Sequence, residues 1–195
     1  QIQILLDKDK DNAQYLTLKA VNLALANQHD EALKIFEIII DDKKIKNNQL
    51  HLSYGHTLRA VGNLEKAIAS YKKAITTKTG FGEAYWSLAN LKTYKFTEND
   101  IKDIKSLLKN ENLKIEDYFH LLFALGKAQE DNEQYEESIA AYIKGNTLKS
   151  KQVPWDSRKF SKECDELIDF FTEDFLSNNI NCLLYTSPSP RDLTT

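Results

Sequence analysis

The sequence predicts an all-α fold, a right-handed superhelical solenoid built from antiparallel helix pairs. Only 6 of the 195 residues are glycine and 3 are proline, which favours long helices over a turn-rich β fold. The second observation is an internal repeat with a period of about 34 or 35 residues. A single helix pair cannot bury its apolar side alone, so pairs that recur at this period are expected to stack.

The composition narrows the classes of function. Hydrophobic residues make up 42% of the chain and charged residues 28%, which is typical of a globular protein. The formal net charge of -3 gives no electrostatic basis for binding nucleic acid or an anionic membrane. Two cysteines, Cys164 and Cys182, are too few for a disulfide framework. We therefore predict a cytoplasmic, reducing location.

The two ends of the sequence differ from its middle. The chain contains no methionine, and we expect it to be a gene fragment in which residues 1–12 are the end of a preceding helix or repeat. Residues 182–192 resemble a translated sequencing adapter. They hold two of the three prolines and one of the three arginines. We therefore expect 182–195 to be an artefactual tail.

The repeat consists of a small residue with an aromatic residue four positions later and another small residue twelve positions earlier. The three matching sets are Ala20, Ala32 and Phe36; Gly55, Ala67 and Tyr71; and Gly126, Ser138 and Tyr142. Small residues let two helices cross closely, and the aromatic ring is expected to fill the space between one helix pair and the next. Ala89, 34 residues after Gly55, marks a further copy.

This period and spacing resemble the tetratricopeptide repeat, a helix-turn-helix unit of about 34 residues. An unrelated helical bundle is the alternative. The third copy lacks the small and aromatic pair, so we expect it to be degenerate, although Thr97 and Asp100 predict a capping box that begins its second helix. The four predicted units are 13–46, 48–81, 82–115 and 119–152.

The segment 153–181 follows the repeats. Pro154 is expected to break the preceding helix. Apolar residues then recur at helical spacing, at Phe160, Cys164, Leu167, Phe171 and Phe175. We expect this segment to be a capping helix that covers the last repeat, or an arm toward a missing catalytic domain.

No catalytic, cofactor-binding or metal-binding set is recognised within residues 1–181. Asp7, Asp9 and Asp11 alternate like the start of a calcium loop, but asparagine and leucine occupy the glycine and bidentate carboxylate positions of that loop. No histidine pair has metal-binding spacing, and no glycine-rich loop could hold a phosphate. A binding surface therefore remains as the predicted function.

The resemblance implies that the first helices of successive repeats line a concave groove for a protein or peptide. In the first repeat the outward positions are Gln14, Thr17 and Val21. The candidate groove residues that follow are Gln49, Leu52, His56, Arg59, Glu83, Trp86, Asn90, Tyr94, His120, Phe123, Lys127 and Glu130. Trp86, Tyr94 and Phe123 are large apolar groups suited to anchoring a partner. The alternative is that Trp86 and Phe123 pack between repeats.

The stretch 82–150 also resembles the repeat region of bacterial tetratricopeptide-sulfotransferase proteins. The segments that carry the resemblance are 83–96, 123–131 and 142–146. The resemblance implies a parent protein that transfers sulfuryl from phosphoadenosine phosphosulfate to a hydroxyl acceptor, with the missing catalytic domain as a partner of these repeats. It supplies no catalytic or cofactor residue within the present chain. The alternatives are a non-enzymatic adaptor, like a co-chaperone, and the repeat region of a glycosyltransferase.

Overall fold

The computed structural model describes residues 9, 12–41, 47–152 and 155–178. All regular structure in these ranges is helical, with ten helices and no strand, so the predicted all-α class is confirmed. No helix in the described ranges is long and apolar enough to cross a membrane. The predicted tail 182–195 and most of 1–12 lie outside the described residues. The chain divides into two compact units, Gln1–Gln152 and Val153–Thr195.

Eight helices belong to the first unit and two to the second. They are α1 (Ala13–Leu25), α2 (His29–Asp41), α3 (Asn48–Ala60), α4 (Leu64–Thr77), α5 (Gly82–Ala89), α6 (Glu98–Leu107), α7 (Ile115–Asp131), α8 (Tyr135–Gln152), α9 (Ser157–Phe170) and α10 (Glu173–Asn178). Three tightly packed hairpins are formed, by α1 with α2, α3 with α4, and α7 with α8. The third predicted repeat differs, because α5 packs chiefly on α7 rather than on α6.

Each turn that follows a first helix contains a residue with positive φ. These residues are Asn27, Gly62, Lys92 and Glu133. The side chains of Asn12, Asn47 and Asn63 accept hydrogen bonds from the first backbone N–H groups of α1, α3 and α4, respectively. Asparagine is among the best N-cap residues, so the sequence itself fixes where these three helices begin.

The small and aromatic residues meet across the helix crossings. A Cβ atom added at Gly55 would lie 2.5 Å from the ring of Tyr71. One added at Gly126 would lie 2.9 Å from the ring of Tyr142. Ser138 Oγ donates a hydrogen bond to the Gly126 carbonyl over 2.8 Å. The close crossings are as predicted, and each tyrosine ring contacts the glycine of its own hairpin.

The shortened third repeat is held by side chains from its neighbours. Thr97 and Asp100 form the predicted capping box at the start of α6. Helix α5 has no side-chain cap of its own at Phe81. Instead Asp117, near the start of α7, accepts a hydrogen bond from the Gly82 N–H over 3.0 Å and an ion pair from Lys78 Nζ over 2.9 Å. A buried carboxylate thus connects three elements.

The first unit has two buried cores. The smaller joins α1, α2 and the start of α3, with Ala20, Ala32, Phe36, Ile39 and Leu50 buried. The larger runs from α3 to α7 and includes Tyr71, Ile104 and Leu121.

The second unit carries a helix whose apolar side is largely exposed. Within α9, Phe160 and Leu167 are each about half exposed, while Cys164 is a half-buried free thiol. The ring of Trp155 lies 5.0 Å from that of Phe160. The predicted helical spacing holds for Phe160, Cys164 and Leu167 on α9, but α9 ends at Phe170, so Phe171 and Phe175 do not continue the same helix. The role of the segment as a capping helix or an arm stays a prediction.

Candidate functional site

A pocket of about 210 Å³ lies between the first two hairpins. Helices α1 and α3 bring Val21 and His56, both predicted to face the groove, to the same pocket. Most of the remaining wall is apolar. It is formed by Ala24, Leu25, His29, Phe36, Ser53, Thr57 and Ala60. We call this the α1–α3 pocket.

No aspartate, glutamate, lysine or arginine side chain lines the α1–α3 pocket. Burial, and to a smaller extent the positive charge of Arg59, lowers the pKa of His56 from 6.5 to about 4. Its Nδ1 atom lies 2.9 Å from the Tyr71 hydroxyl, and the two rings meet edge to face. Burial likewise raises the pKa of Tyr71 to about 12. The imidazole is therefore neutral, and the pocket suits an uncharged apolar group.

Trp86 and Phe123 form an aromatic pair that bridges α5 and α7. Their ring centroids are 5.3 Å apart, and Phe119 lies 6.1 Å from Phe123. The Phe123 ring rests against Gly145 of α8, where a Cβ atom would lie 2.6 Å from it. Both residues are half-buried. They pack between helices, as one interpretation predicted, and they also keep exposed surface that a partner could contact.

Two predicted groove residues are placed differently from the expectation. Leu52 is fully buried in the larger core, so it cannot contact a partner. Helix α5 ends at Ala89, and Tyr94 therefore lies in the loop after it rather than on a continued helix. The Tyr94 hydroxyl donates to Asp100 at the start of α6, over 3.0 Å. Helical projection failed for Leu52 because it did not separate an inward-packing position from the groove side. Tyr94 lies off the helix on which it was projected, and its role as a groove residue stays a prediction.

The polar groove residues near α3 and α5 are mostly accessible. Gln49 and Arg59 are exposed on α3, and Asn90 is exposed at the end of α5. Glu83 is half-buried, and burial together with the nearby Asp117 carboxylate raises its pKa. None of these side chains lines the α1–α3 pocket.

The polar groove residues on α7 are largely engaged within the fold. Lys127 forms an ion pair with Asp131 one turn further along α7. Glu130 accepts a hydrogen bond from the Tyr142 hydroxyl over 3.1 Å. Burial, and then the charge of Lys149, lowers the pKa of His120. Within the described part of the chain, no group of three His, Cys, Asp or Glu side chains is placed to hold a metal ion.

Sequence reasoning missed part of the α1–α3 pocket. His29 begins α2 and its Nδ1 atom is buried without a hydrogen-bond partner among the described residues. Ala60 and Leu25 stand at the ends of α3 and α1, beyond the projected groove positions. The available signal was the pair of histidines at 29, at the start of α2, and 56, in the middle of α3, but their spacing alone did not predict a shared pocket.

Comparison with known proteins agrees with this architecture. The tetratricopeptide repeat family matches residues 49–81 and 119–152. A comparison with curated protein sequences gave no significant match.

Solved structures with a similar fold include several of MamA. A crystal structure of MamA is 13% identical with a TM-score of 0.57, covering 79% of this chain and 88% of that one. A MamA RS-1 ArsTM double mutant is 12% identical with a TM-score of 0.55, covering 79% and 84%. MamA MSR-1 C2 is 16% identical with a TM-score of 0.52, covering 78% and 85%. Likeness at this level of identity concerns the fold, and the chain accordingly has an all-helical tetratricopeptide-repeat fold.

Proposed function

We propose that this chain is a binding scaffold for a protein or peptide, and that the α1–α3 pocket receives one apolar side chain of that partner. The observation that carries the proposal is the meeting of Val21 and His56 in one largely apolar pocket between successive hairpins. Stacked helical repeats present extended surfaces of this kind to partner chains. An apolar pocket on such a surface can anchor one side chain of a partner.

The size and chemistry of the pocket favour a side chain over a free cofactor. At about 210 Å³ it is smaller than the roughly 300–1,000 Å³ of pockets that hold whole small ligands. Its lining offers few polar groups, and a charged occupant would lose its hydration without gaining an ion pair. An aliphatic or aromatic side chain has no charge whose hydration is lost on entering, and its burial removes apolar surface from water.

The aromatic pair supplies a second contact for the same partner. Trp86 and Phe123 keep exposed ring surface on the first helices of the third and fourth repeats. Large aromatic groups often dominate binding energy at interfaces. We infer that a partner segment contacts this pair in addition to the α1–α3 pocket.

The experiment is a selection of peptides from a displayed random 12-residue library on the intact chain, followed by calorimetry with the selected peptide. Filling the pocket with Ala60→Trp is expected to weaken binding by about tenfold or more, because one buried apolar side chain is worth ~1.5–3 kcal/mol. Ala69→Trp, at an exposed position of α4 outside the pocket, is the control and should leave affinity unchanged. Equal affinity for both variants would place the peptide elsewhere.

The identity proposed for the parent protein rests on sequence resemblance. We propose a sulfotransferase parent on the basis of the segments 83–96, 123–131 and 142–146, and the comparisons add no support to it. The adaptor alternative shares the same binding surface, and neither choice alters the pocket experiment. Binding of phosphoadenosine phosphosulfate by the proposed parent protein would separate these alternatives.

A further inference from the structure

Helix α9 of the second unit has an apolar face that is largely exposed. Helical spacing places four residues on one side of it, and we call them the α9 face: Phe160, Cys164, Leu167 and Ile168. Phe160 is 50% exposed, Leu167 57% and Ile168 71%. The steps of four and then three residues from Phe160 to Leu167 are typical of helices that pair along an apolar seam. The spacing therefore favours another helix as the occupant of this face.

The charges of α9 are separated along its length. The basic residues come first and the acidic ones follow, in the order Arg158, Lys159, Lys162, Glu163, Asp165, Glu166 and Asp169. A helix dipole favours the opposite order, yet the first turn of α9 holds no acidic residue and its last turn no basic one. Two ion pairs between successive turns, of 3.9 and 3.5 Å, offset this only partly. The order of charges therefore suits a neighbouring helix that runs in the opposite direction.

A second copy of α9, antiparallel to the first, matches both features. With the Cys164 residues of the two copies side by side, Phe160 of one copy lies level with Ile168 of the other, since each is four residues from Cys164. The basic half of each copy then lies beside the acidic half of the other. Arg158 and Asp169 are about 20° apart around the helix, so they share a flank and come nearly level across the two copies. A parallel copy would instead set like charges side by side.

We propose that the α9 face is a homodimer contact, in which two copies of α9 pack antiparallel about Cys164. Burial of the apolar side chains supplies most of the affinity, because pairs of exposed charges contribute little. The charges select the second copy and its direction, since they are complementary only when the helices are antiparallel. This contact lies in the second unit and does not depend on the function proposed for the α1–α3 pocket.

Sedimentation velocity of the intact chain, over about a hundredfold range of concentration, measures self-association. We expect an equilibrium between monomer and dimer. Leu167→Glu should weaken the dimer about tenfold or more, because each copy then places a charge in the apolar contact. Ile38→Glu, at an exposed apolar position of α2, is the matched control and should leave the dimer unchanged. A monomer at every concentration, as expected if the face serves a different partner, or equal weakening by both variants overturns the proposal.

Charge reversal tests the direction of the two helices. Asp169→Lys should weaken an antiparallel dimer about threefold, whereas it would strengthen a parallel one. A lysine near the end of α9 also suits the helix dipole, so a weaker dimer cannot be attributed to loss of the helix. Arg158→Glu should weaken the dimer likewise, and combining it with Asp169→Lys should restore the affinity. Stronger association of Asp169→Lys, or no recovery in the combined variant, would refute the antiparallel contact.

Discussion

The burial of His56 makes the stability of the fold depend on pH. Its pKa is lowered from 6.5 to about 4 in the folded chain, so the unfolded chain takes up the proton first as the pH falls. The stability associated with neutral His56 is complete above pH 6.5 and is lost as the pH falls toward 4. Burial lowers the pKa of His51 and of His120 as well, which adds to the same trend.

We predict that His56→Gln reduces this pH dependence. The amide cannot titrate but can still accept a hydrogen bond from Tyr71. At about 1.4 kcal/mol for each pKa unit, the wild-type chain should lose up to about 3 kcal/mol more stability than the variant between pH 7 and pH 4. Urea unfolding at several pH values measures the difference. Parallel stability curves for the two proteins would contradict the prediction.

At the scale of elements, the shortened third repeat depends on a side chain from the next one. Helix α5 spans only eight residues, and Asp117 of α7 supplies the cap that the sequence around Phe81 lacks. A Cβ atom at Gly82 would collide with the Asp117 backbone, so the two elements approach as closely as their main chains allow. The position of α5 is therefore set by α7.

Removing the Asp117 carboxylate should loosen that arrangement. We predict that Asp117→Ala lowers the free energy of unfolding by about 2 kcal/mol, because the Gly82 N–H is left buried without its acceptor. Glu166→Ala is the control, since Glu166 pairs with Lys162 on the exposed surface of α9 and its removal should cost less than about 1 kcal/mol. Denaturant unfolding measures the free energy of unfolding of both variants. Equal losses of stability would show that the hydrogen bond between Asp117 and Gly82 does not stabilise the fold.

The sequence predicted the elements better than it predicted their surfaces. The paired small and aromatic residues located the hairpins, because those contacts are made within one repeat. Leu52 was misplaced because a first helix packs against neighbours on more than one side, and periodicity alone does not separate the groove side from the buried side. Gln129 of α7 is buried although glutamine is usually exposed, and the sequence offered no signal for that burial.

At the scale of the whole molecule, the first unit is held by two cores of unequal size. The smaller core links α1 and α2 to the start of α3, whereas the larger extends over several helices. The stability of stacked repeats is approximately a sum of local and nearest-neighbour contributions. The end with fewer buried neighbours should therefore open more easily.

Hydrogen exchange should show this difference directly. We predict that amides in the middle of α1 and α2 exchange about tenfold faster than those in the middle of α4 and α7, because local opening at that end exposes less apolar surface. Residue-resolved exchange by NMR is the measurement. Uniform protection across the four helices would instead show that both cores open together as one cooperative body.

The contacts of Gly55 with Tyr71 and of Gly126 with Tyr142 carry a consequence for any redesign of this scaffold. At each crossing the larger partner occupies the volume that the smaller one vacates, so neither position can be altered independently. A bulkier residue at 55 calls for a slimmer one at 71, and transplanting one hairpin into another repeat array requires moving both members together. The glycine and the tyrosine of each crossing must therefore be exchanged together.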